Sequence, residues 1–169
     1  LPAGIKRLLD VGCGHGAFGA LVKERLGAAV TGIELHDEVA RVAAQRLDQV
    51  LCGDALERLG QLPGAAFDCV TFNDVLEHLV DPTRMLSEVR RHLAPGGVVV
   101  ASLPNVRHYQ VMMDVVVRGN WDYADYGVLD RTHLRFFTQK SIRKLFAETG
   151  YDLLRMEGIN GPTSRRGRV

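Results

Sequence analysis

The sequence predicts an α/β protein with a doubly wound, mostly parallel sheet. Short runs of apolar and β-branched residues alternate with longer stretches in which apolar residues recur at helical spacing. A glycine-rich turn follows the first apolar run, as is typical of sheets that bind nucleotide-like ligands. These observations predict strands that alternate with helices on both faces of one sheet.

Six apolar runs predict the strands. The run at 67–72 has β-branched and aromatic residues in its interior, which pack well in a sheet. The run at 98–103 is apolar throughout, as in a central strand that is buried on both faces. The predicted strands cover residues 5–10, 29–33, 49–52, 67–72, 98–103 and 151–157.

Four helices are predicted between the strands. Asp81 is an N-cap residue, and Pro82 after it suits the first helical position. Thr138 is the expected cap of the last helix, which Gly150 ends. The predicted helices cover 17–26, 37–47, a stretch from 82 to the Pro-Gly-Gly turn at 95–97, and 139–149.

The length of 169 residues fits a single domain, 1–169, with an insertion at about 104–138. We call this insertion the cover segment, since loops beyond the carboxyl ends of parallel strands build the binding site of such a sheet. Its aromatic residues either face a substrate or simply pack onto the sheet. The candidates for substrate contact are Tyr109, Trp121, Tyr123 and Tyr126.

Composition excludes several classes of protein. The net charge is only +1, so nothing draws the chain toward nucleic acid, and no apolar run is long enough to span a membrane. No signal-peptide pattern is present at the start of the sequence. The three cysteines, Cys13, Cys52 and Cys69, lack metal-ligand spacing, so we expect buried reduced thiols in a cytoplasmic protein.

The glycine-rich turn predicts a ligand that carries a positive charge and no phosphate. Residues 14–19 match the pattern G-x-G-x-x-G, but the match begins four residues beyond the predicted strand, which ends at Asp10. Asp10 also stands at the mouth of the turn, where a carboxylate would repel a pyrophosphate. S-adenosylmethionine suits this carboxylate, because it has an ammonium group, a sulfonium centre and no phosphate.

Acidic residues after the next two strands fit the same ligand. Glu34 closes the second strand and can accept hydrogen bonds from both ribose hydroxyls. Asp54 follows the third strand and can accept the adenine amino group, while the Ala55 N–H meets a ring nitrogen. Asn73, after the fourth strand, completes the rim of the sheet.

The sequence resembles the class I S-adenosylmethionine-dependent methyltransferases over nearly its whole length. Residues 8–16, Leu-Leu-Asp-Val-Gly-Cys-Gly-His-Gly, resemble the glycine-rich first motif of that family. Glu34 and residues 53–55 match the acids after the second and third strands, 67–78 the fourth-strand motif, and 93–100 the Pro-Gly-Gly turn. The resemblance implies a Rossmann-like sheet, in which this sequence lacks the last antiparallel strand. The sequence also begins almost at its first strand, so we expect an excised or truncated domain.

The resemblance also implies how the cofactor is held. Asp10, Gly12 and Gly14 would bind the methionine part, Glu34 the ribose and Asp54 the adenine. The main-chain carbonyl of Asn73 would accept from the ammonium group. The predicted cofactor-binding residues are Asp10, Gly12, Cys13, Gly14, Gly16, Glu34, Leu35, Gly53, Asp54, Ala55 and Asn73.

Within the family, the pattern is similar to small-molecule O-methyltransferases, including those of ubiquinone biosynthesis and relatives encoded beside glycosyltransferases. Residues 130–138 resemble the short motif with His and Phe that this group carries before its late helix. A hydroxyl acceptor needs a base to take its proton, and His133 is the first candidate, His78 the second and His108 the third. No cluster has convincing metal-ligand spacing, so we predict no metal.

Three other functions compete with O-methylation of a small molecule. Methylation of nucleic-acid amino groups is disfavoured, because this sequence has Asn73-Asp74-Val75-Leu76 where such family members carry a Pro-Pro-aromatic turn. A nicotinamide oxidoreductase is disfavoured by Asp10. A cofactor-binding module of a larger glycosyltransferase or assembly protein, without catalysis, stays open. The oligomeric state is open as well.

Overall fold

Five parallel strands form one sheet at the centre of the computed structural model, which describes residues 1–158. Their order across the sheet is β3-β2-β1-β4-β5, so the first strand lies in the middle and the chain winds outward in both directions. The doubly wound parallel sheet is therefore confirmed. The strands are β1 Arg7–Val11, β2 Ala29–Glu34, β3 Gln49–Cys52, β4 Phe67–Asn73 and β5 Leu93–Ser102.

Helices cover both faces of the sheet, because side chains of each strand alternate between two cores. Leu8 of β1 lies in a core with Val22 and Ala43, on one face. Leu9 lies in the other core, with Leu86. The helices are α1 Ala17–Leu26, α2 Asp37–Ala43, α3 Ala55–Leu59, α4 Pro82–Val89, α5 Tyr109–Met112 and α6 Gln139–Glu148. A 3-10 turn, Leu76–His78, follows β4, and a π-helical turn, Met113–Val117, follows α5.

The predicted helix caps are confirmed. The Asp81 carboxylate accepts a hydrogen bond from the Arg84 N–H at 2.8 Å, with Pro82 at the first helical position of α4. At α6, the Thr138 hydroxyl accepts from the Ser141 N–H at 3.2 Å, and the Ser141 hydroxyl accepts from the Thr138 N–H at 2.9 Å. This reciprocal pair satisfies two backbone donors and fixes the point where the cover segment ends.

The strand predicted at 151–157 is wrong, because this segment has no regular secondary structure and does not pair with β5. The Tyr151 hydroxyl donates to the Leu86 carbonyl at 2.8 Å, and the Tyr151 ring packs against Phe146. Leu154 beyond it is 82% exposed. The apolar pair Leu153-Leu154 gave this segment the pattern of a strand in the sequence. In the structure, Tyr151 attaches the segment to α4 and α6.

Other boundaries also differ from the prediction. The second helix ends at Ala43, since a turn follows it. β5 begins at Leu93 and includes the Pro-Gly-Gly turn, which a register shift opposite Phe67 and Cys69 accommodates. Helix α3 was not predicted, because its five residues are too few to show helical spacing.

Within residues 1–158, no helix is both long and apolar enough to cross a membrane. The three cysteines are free thiols, of which Cys13 and Cys69 are buried and Cys52 is half-buried. The predicted burial therefore holds for Cys13 and Cys69 but not for Cys52.

The cover segment is held at its two ends and at the 3-10 turn. The Val106 N–H donates to the Phe137 carbonyl at 2.8 Å, which brings the start of the segment beside its end. The Glu77 carbonyl accepts from the N–H groups of Leu134 and Arg135 at 2.9 and 3.0 Å. These bonds place the residues before α6 directly beside the turn that follows β4.

The capping pair predicts the effect of a single substitution. Thr138→Ala removes the hydroxyl that caps α6, so we expect the free energy of unfolding to fall by about 1 kcal/mol. Urea denaturation followed by circular dichroism measures it. Ser87→Ala, at an exposed position inside α4, is the matched control and should change stability little. Equal stability of the Thr138→Ala variant and the wild type would contradict this account of the cap.

Candidate active site

Four neighbouring strands present polar side chains at one edge of the sheet. Parallel strands end at the same edge, and β3, β2, β1 and β4 are consecutive neighbours. Asp10 is in β1, opposite Gly32 of β2 and Thr71 of β4. Glu34 ends β2, and Asn73 ends β4. The sheet topology therefore brings together the residues that the sequence places at separate strand ends.

Asp10 is a buried carboxylate at the centre of this edge. It is 1% exposed, and its Oδ1 atom accepts hydrogen bonds from the Thr71 hydroxyl at 2.6 Å and the Asn73 amide at 3.4 Å. Burial raises the pKa of Asp10 to about 6, and the two hydrogen bonds partly oppose that rise. Asp10 thus carries a negative charge at neutral pH in a site that penalises it.

The glycine-rich turn lies directly over the neighbouring strands. The N–H groups of Gly12 and Cys13 donate to the Ile33 carbonyl at 2.8 and 3.0 Å. Gly12 has φ +70°, and a Cβ atom built there would lie 2.5 Å from Cγ2 of Val75. The Cys13 thiol is held protonated, because burial and the nearby carboxylates, Asp10 among them, raise its pKa to about 12. The Cys13 side chain is therefore a packing group of the turn.

Glu34 ties the glycine-rich turn to the end of β2. One carboxylate oxygen accepts from the Gly14 N–H at 3.0 Å, and the other accepts from the His36 N–H at 3.0 Å. The residue is 8% exposed. Because each carboxylate oxygen can accept a second hydrogen bond, Glu34 can orient the turn and still bind two hydroxyl groups.

The end of β3 combines a helix cap with a free carboxylate oxygen. Oδ1 of Asp54 accepts from the N–H groups of Leu56 and Glu57 at 2.9 and 3.2 Å, which caps α3. Both bonds use Oδ1, so α3 does not engage Oδ2. The Gly53 N–H donates to the Glu34 carbonyl at 2.8 Å, which sets the end of β3 beside that of β2. Leu35, which directly follows Glu34, is 61% exposed.

Beyond β4, two histidines from different parts of the chain lie together. His78 is in the 3-10 turn and His133 is in the cover segment, and their ring centroids are 4.8 Å apart at an interplanar angle of 70°. The structure thus pairs the first two candidate bases. It keeps His108, the third, against Tyr109, with ring centroids 4.9 Å apart.

Glu77 lies behind the histidine pair. It is 1% exposed, and its Oε1 atom is 3.9 Å from Nε2 of His133. Burial raises the pKa of Glu77 to about 7, with the charge of Asp74 as a smaller cause. Among the described residues, Glu77, His78 and His133 form the one group whose potential ligand atoms, all within 4.8 Å of each other, could hold a metal ion. The prediction of no metal stays a prediction.

The aromatic residues of the cover segment divide into two sets. Trp121 and Tyr123 pack against Phe136 with centroid distances of 5.5 and 6.3 Å, and Phe136 is 6.3 Å from His133. Trp121, Tyr123 and Phe136 therefore form an aromatic wall next to the histidine pair. Tyr109 and Tyr126 are 63% and 83% exposed, and within residues 1–158 neither ring pairs with this wall.

Sequence reasoning missed four residues that contact the predicted ones, directly or through one neighbour. Thr71 bonds to Asp10, Glu77 lies beside His133, and the Thr132 hydroxyl lies 3.2 Å from Nδ1 of His78 and bonds to Asp130. Threonine is common in strands, so nothing in the sequence indicates that Thr71 bonds to Asp10. Glu77 precedes His78 in the fourth-strand motif, and an acid beside a candidate base is the signal that could have found it. The two cover-segment residues stand in the motif at 130–138, where the histidine alone was singled out.

Comparison of this sequence with protein families finds methyltransferases. A family model described as a methyltransferase domain matches residues 3–155. The ubiquinone biosynthesis O-methyltransferase of Psychrobacter arcticus is 30% identical over 95% of this chain and 65% of its own length. The enzyme of that name from Idiomarina loihiensis is 37% identical over 59% of this chain and 43% of its own. The chain thus spans about half to two thirds of the curated relatives it matches.

Solved structures share the fold. A methyltransferase of Archaeoglobus fulgidus superposes with a TM-score of 0.70 at 24% identity, over 88% of this chain and 62% of that one. A phosphoethanolamine N-methyltransferase of Haemonchus contortus, in complex with S-adenosylmethionine, has a TM-score of 0.61 at 21% identity, over 89% and 34%. With the strand order and the family match at 3–155, these findings show that the chain belongs to the class I S-adenosylmethionine-dependent methyltransferase family.

Proposed function

We propose that this chain transfers a methyl group from S-adenosylmethionine to a hydroxyl group of a small acceptor. The observation that carries the proposal is one continuous edge, in which Asp10 and Glu34 lie at adjacent strand ends and the His78–His133 pair follows the neighbouring strand. The curated relatives named above are O-methyltransferases by name, which supports an oxygen acceptor.

The residues of this edge suit the proposed cofactor. Asp10 offers a buried negative charge for the ammonium group, and the main-chain carbonyl of Asn73 offers a second acceptor. Glu34 keeps acceptor capacity for the ribose hydroxyls, and Oδ2 of Asp54 for the adenine amino group. Val75 fills the space where a side chain at Gly12 would lie, and φ is +70° there, so the turn requires glycine at this position. Cys13, Gly14, Gly16, Leu35, Gly53 and Ala55 complete the proposed cofactor contacts.

When bound, S-adenosylmethionine supplies a methyl group on a sulfonium centre, whose C–S bond breaks as the acceptor oxygen forms the new C–O bond. The chain has to hold that oxygen in line, exclude water and accept the hydroxyl proton. Trp121, Tyr123 and Phe136 form an apolar wall beside the histidines that can orient an aromatic acceptor, and we propose that Tyr109 and Tyr126 close over it.

We propose that the proton passes to one member of the histidine pair, and exposure favours His78. The side chain of His133 is 6% exposed and lies between Glu77 and Phe136, whereas His78 is exposed at the edge of the sheet. A general base must come within hydrogen-bond distance of the proton that it takes. His78 is therefore the catalytic candidate, and His133 packs behind it.

We further propose a cytoplasmic enzyme that acts on small molecules and not on nucleic acid. Its net charge of +1 gives no long-range attraction to a polyanion. Its three cysteines are free thiols, as is usual in a reducing compartment.

The role of Glu34 predicts a loss of cofactor affinity. Glu34→Ala removes the acceptors for the ribose and also releases the Gly14 N–H, so the Kd for S-adenosylhomocysteine should rise tenfold or more, since each charge-assisted hydrogen bond contributes about 1.5–3 kcal/mol. Isothermal titration calorimetry measures the Kd. Glu38→Ala, an exposed acid in the first turn of α2, is the control and should bind as the wild type does. Equal affinity of both variants would remove Glu34 from the ribose site.

The burial of Asp10 predicts that replacing it raises the stability of the fold and weakens cofactor binding. Because the pKa of Asp10 rises from 3.8 to about 6 on folding, its ionisation opposes folding as the pH rises through that range. Asp10→Asn should match the wild type near pH 4 and be more stable, by at most about 3 kcal/mol, near pH 8. The same variant should bind S-adenosylhomocysteine more weakly.

Urea denaturation across this pH range, without ligand, measures the effect of Asp10→Asn. Asp68→Asn provides a control of opposite sign. Hydrogen bonds from the N–H groups of Lys6 and Arg7 lower the pKa of Asp68, so its ionised form stabilises the folded state. That variant should lose stability near neutral pH. An Asp10→Asn variant less stable than the wild type near pH 8 would contradict the assigned cost of burial.

The histidine pair predicts a separation of turnover from binding. With methyl-tritiated S-adenosylmethionine and 3,4-dihydroxybenzoate as the probe acceptor, His78→Gln should lower kcat by about 10²–10⁴-fold, as loss of a general base does. His133→Gln should lower it less, and both variants should keep their Kd for S-adenosylhomocysteine.

Two outcomes would contradict this assignment of the proton to His78. Loss of turnover on treatment with EDTA would mean that the group of Glu77, His78 and His133 works through a metal ion. Absence of label in any acceptor of a cell extract, despite tight binding of S-adenosylhomocysteine, would favour the cofactor-binding module without catalysis.

A further inference from the structure

We propose that Asp130 and Thr132 are positioning residues, which hold the His78 imidazole with its Nε2 atom free to take the acceptor's proton. The inference rests on the proposed function, because only a hydroxyl acceptor requires such a base. In the described structure neither residue hydrogen-bonds to Asp10, Glu34 or Asp54, so both would act through His78 alone.

The first step is the bond between Asp130 and Thr132. The Thr132 hydroxyl donates to Oδ1 of Asp130 at 2.6 Å, and the Thr132 N–H donates to the same oxygen at 2.7 Å. These bonds, the hydroxyl first, lower the pKa of Asp130, so it is an ionised carboxylate that can only accept. The single hydrogen of the Thr132 hydroxyl is therefore committed to Asp130.

The second step fixes the tautomer of His78. Its Nδ1 atom is 3.2 Å from the Thr132 hydroxyl oxygen and 3.3 Å from the Thr132 carbonyl oxygen. The carbonyl has no hydrogen to give, and the hydroxyl has already given its own to Asp130. Both oxygens must accept, so Nδ1 of His78 carries the hydrogen and Nε2 carries the lone pair.

This tautomer needs an external cause. A solvated neutral histidine side chain favours the opposite tautomer, with the hydrogen on Nε2, and in that form Nε2 has no lone pair to accept a proton. His78 is exposed, and the 3-10 turn that carries it has only three residues. Its local surroundings therefore leave the choice to the cover segment, where Thr132 presents two acceptors to one ring nitrogen.

The surrounding charges support the same arrangement. The groups near His78 are Asp130, the His133 ring with its centroid 4.8 Å away, and buried Glu77 behind that ring. Arg131, beside Thr132 in sequence, forms an ion pair with Asp125 at 2.9 Å instead of with Asp130. The Asp130 carboxylate thus remains available to Thr132.

The test reads the tautomer without any acceptor. In ¹⁵N-histidine-labelled protein with S-adenosylhomocysteine at about pH 8.5, where an ordinary imidazole of pKa about 6.5 is neutral, long-range ¹H–¹⁵N spectra distinguish the two tautomers. His78→Gln assigns the signals. We expect the Nδ1–H form of His78 in the wild type. In Thr132→Val and Asp130→Ala the main-chain carbonyl of residue 132, 3.3 Å from Nδ1, is the one oxygen that still has to accept, so the share of the Nε2–H form should rise.

Two matched variants control for indirect effects. Thr132→Ser keeps the hydroxyl and should restore the wild-type tautomer. Asp114→Ala removes an acid of the cover segment that pairs with Arg118, and it should leave the His78 signals unchanged. In the assay with 3,4-dihydroxybenzoate, Thr132→Val and Asp130→Ala should lower kcat about tenfold or more, without a change in the Kd for S-adenosylhomocysteine.

The outcomes separate this inference from the proposed function. Wild-type His78 in the Nε2–H form, or an unchanged tautomer and kcat in both Thr132→Val and Asp130→Ala, would overturn the positioning role even if the enzyme methylates the probe. If the spectra show the predicted tautomers but no acceptor is methylated, the proposed function is contradicted, and the contacts of Asp130 and Thr132 with His78 still stand.

Discussion

The site depends on the parallel alignment of four neighbouring strands, which ends every one of them at the same edge of the sheet. Asp10 can meet Thr71 and Asn73 only because β1 and β4 are in register, and the Gly53 N–H reaches the Glu34 carbonyl only because β3 follows β2. No single loop carries the polar set. A change in strand order would therefore scatter it.

Two carboxyl groups at this edge are buried among apolar residues, where a charge is unfavourable. Asp10 and Glu77 are each 1% exposed, and burial raises the pKa of both. Asp10 has two hydrogen-bond donors in Thr71 and Asn73, while one oxygen of Glu77 has no partner among the described residues. Buried polar groups with few partners are costly, and their concentration at this edge supports the site that we propose there.

The sequence reveals the residues proposed to bind the cofactor better than those proposed for catalysis. Asp10, Glu34 and Asp54 each follow an apolar run, and a rule about strand ends is enough to place them together. The contact of His78 with Thr132 and His133 joins parts of the chain that lie far apart in sequence, through a cover segment of irregular backbone. No periodicity describes such a path. Tyr151 shows the same limit in the fold, since its hydroxyl bond to α4 outweighs the strand pattern of its neighbours.

The close approach of Gly12 to Val75 joins these two halves. A Cβ atom at position 12 would lie 2.5 Å from Cγ2 of Val75, and Val75 immediately precedes the turn that carries Glu77 and His78. Position 12 therefore cannot gain a side chain while residue 75 keeps the size of valine. A homologue that gains a side chain at the first would have to shrink the residue at the second, so paired substitutions at these sites should mark lineages in which the donor loop and the acceptor-facing turn have been remodelled together.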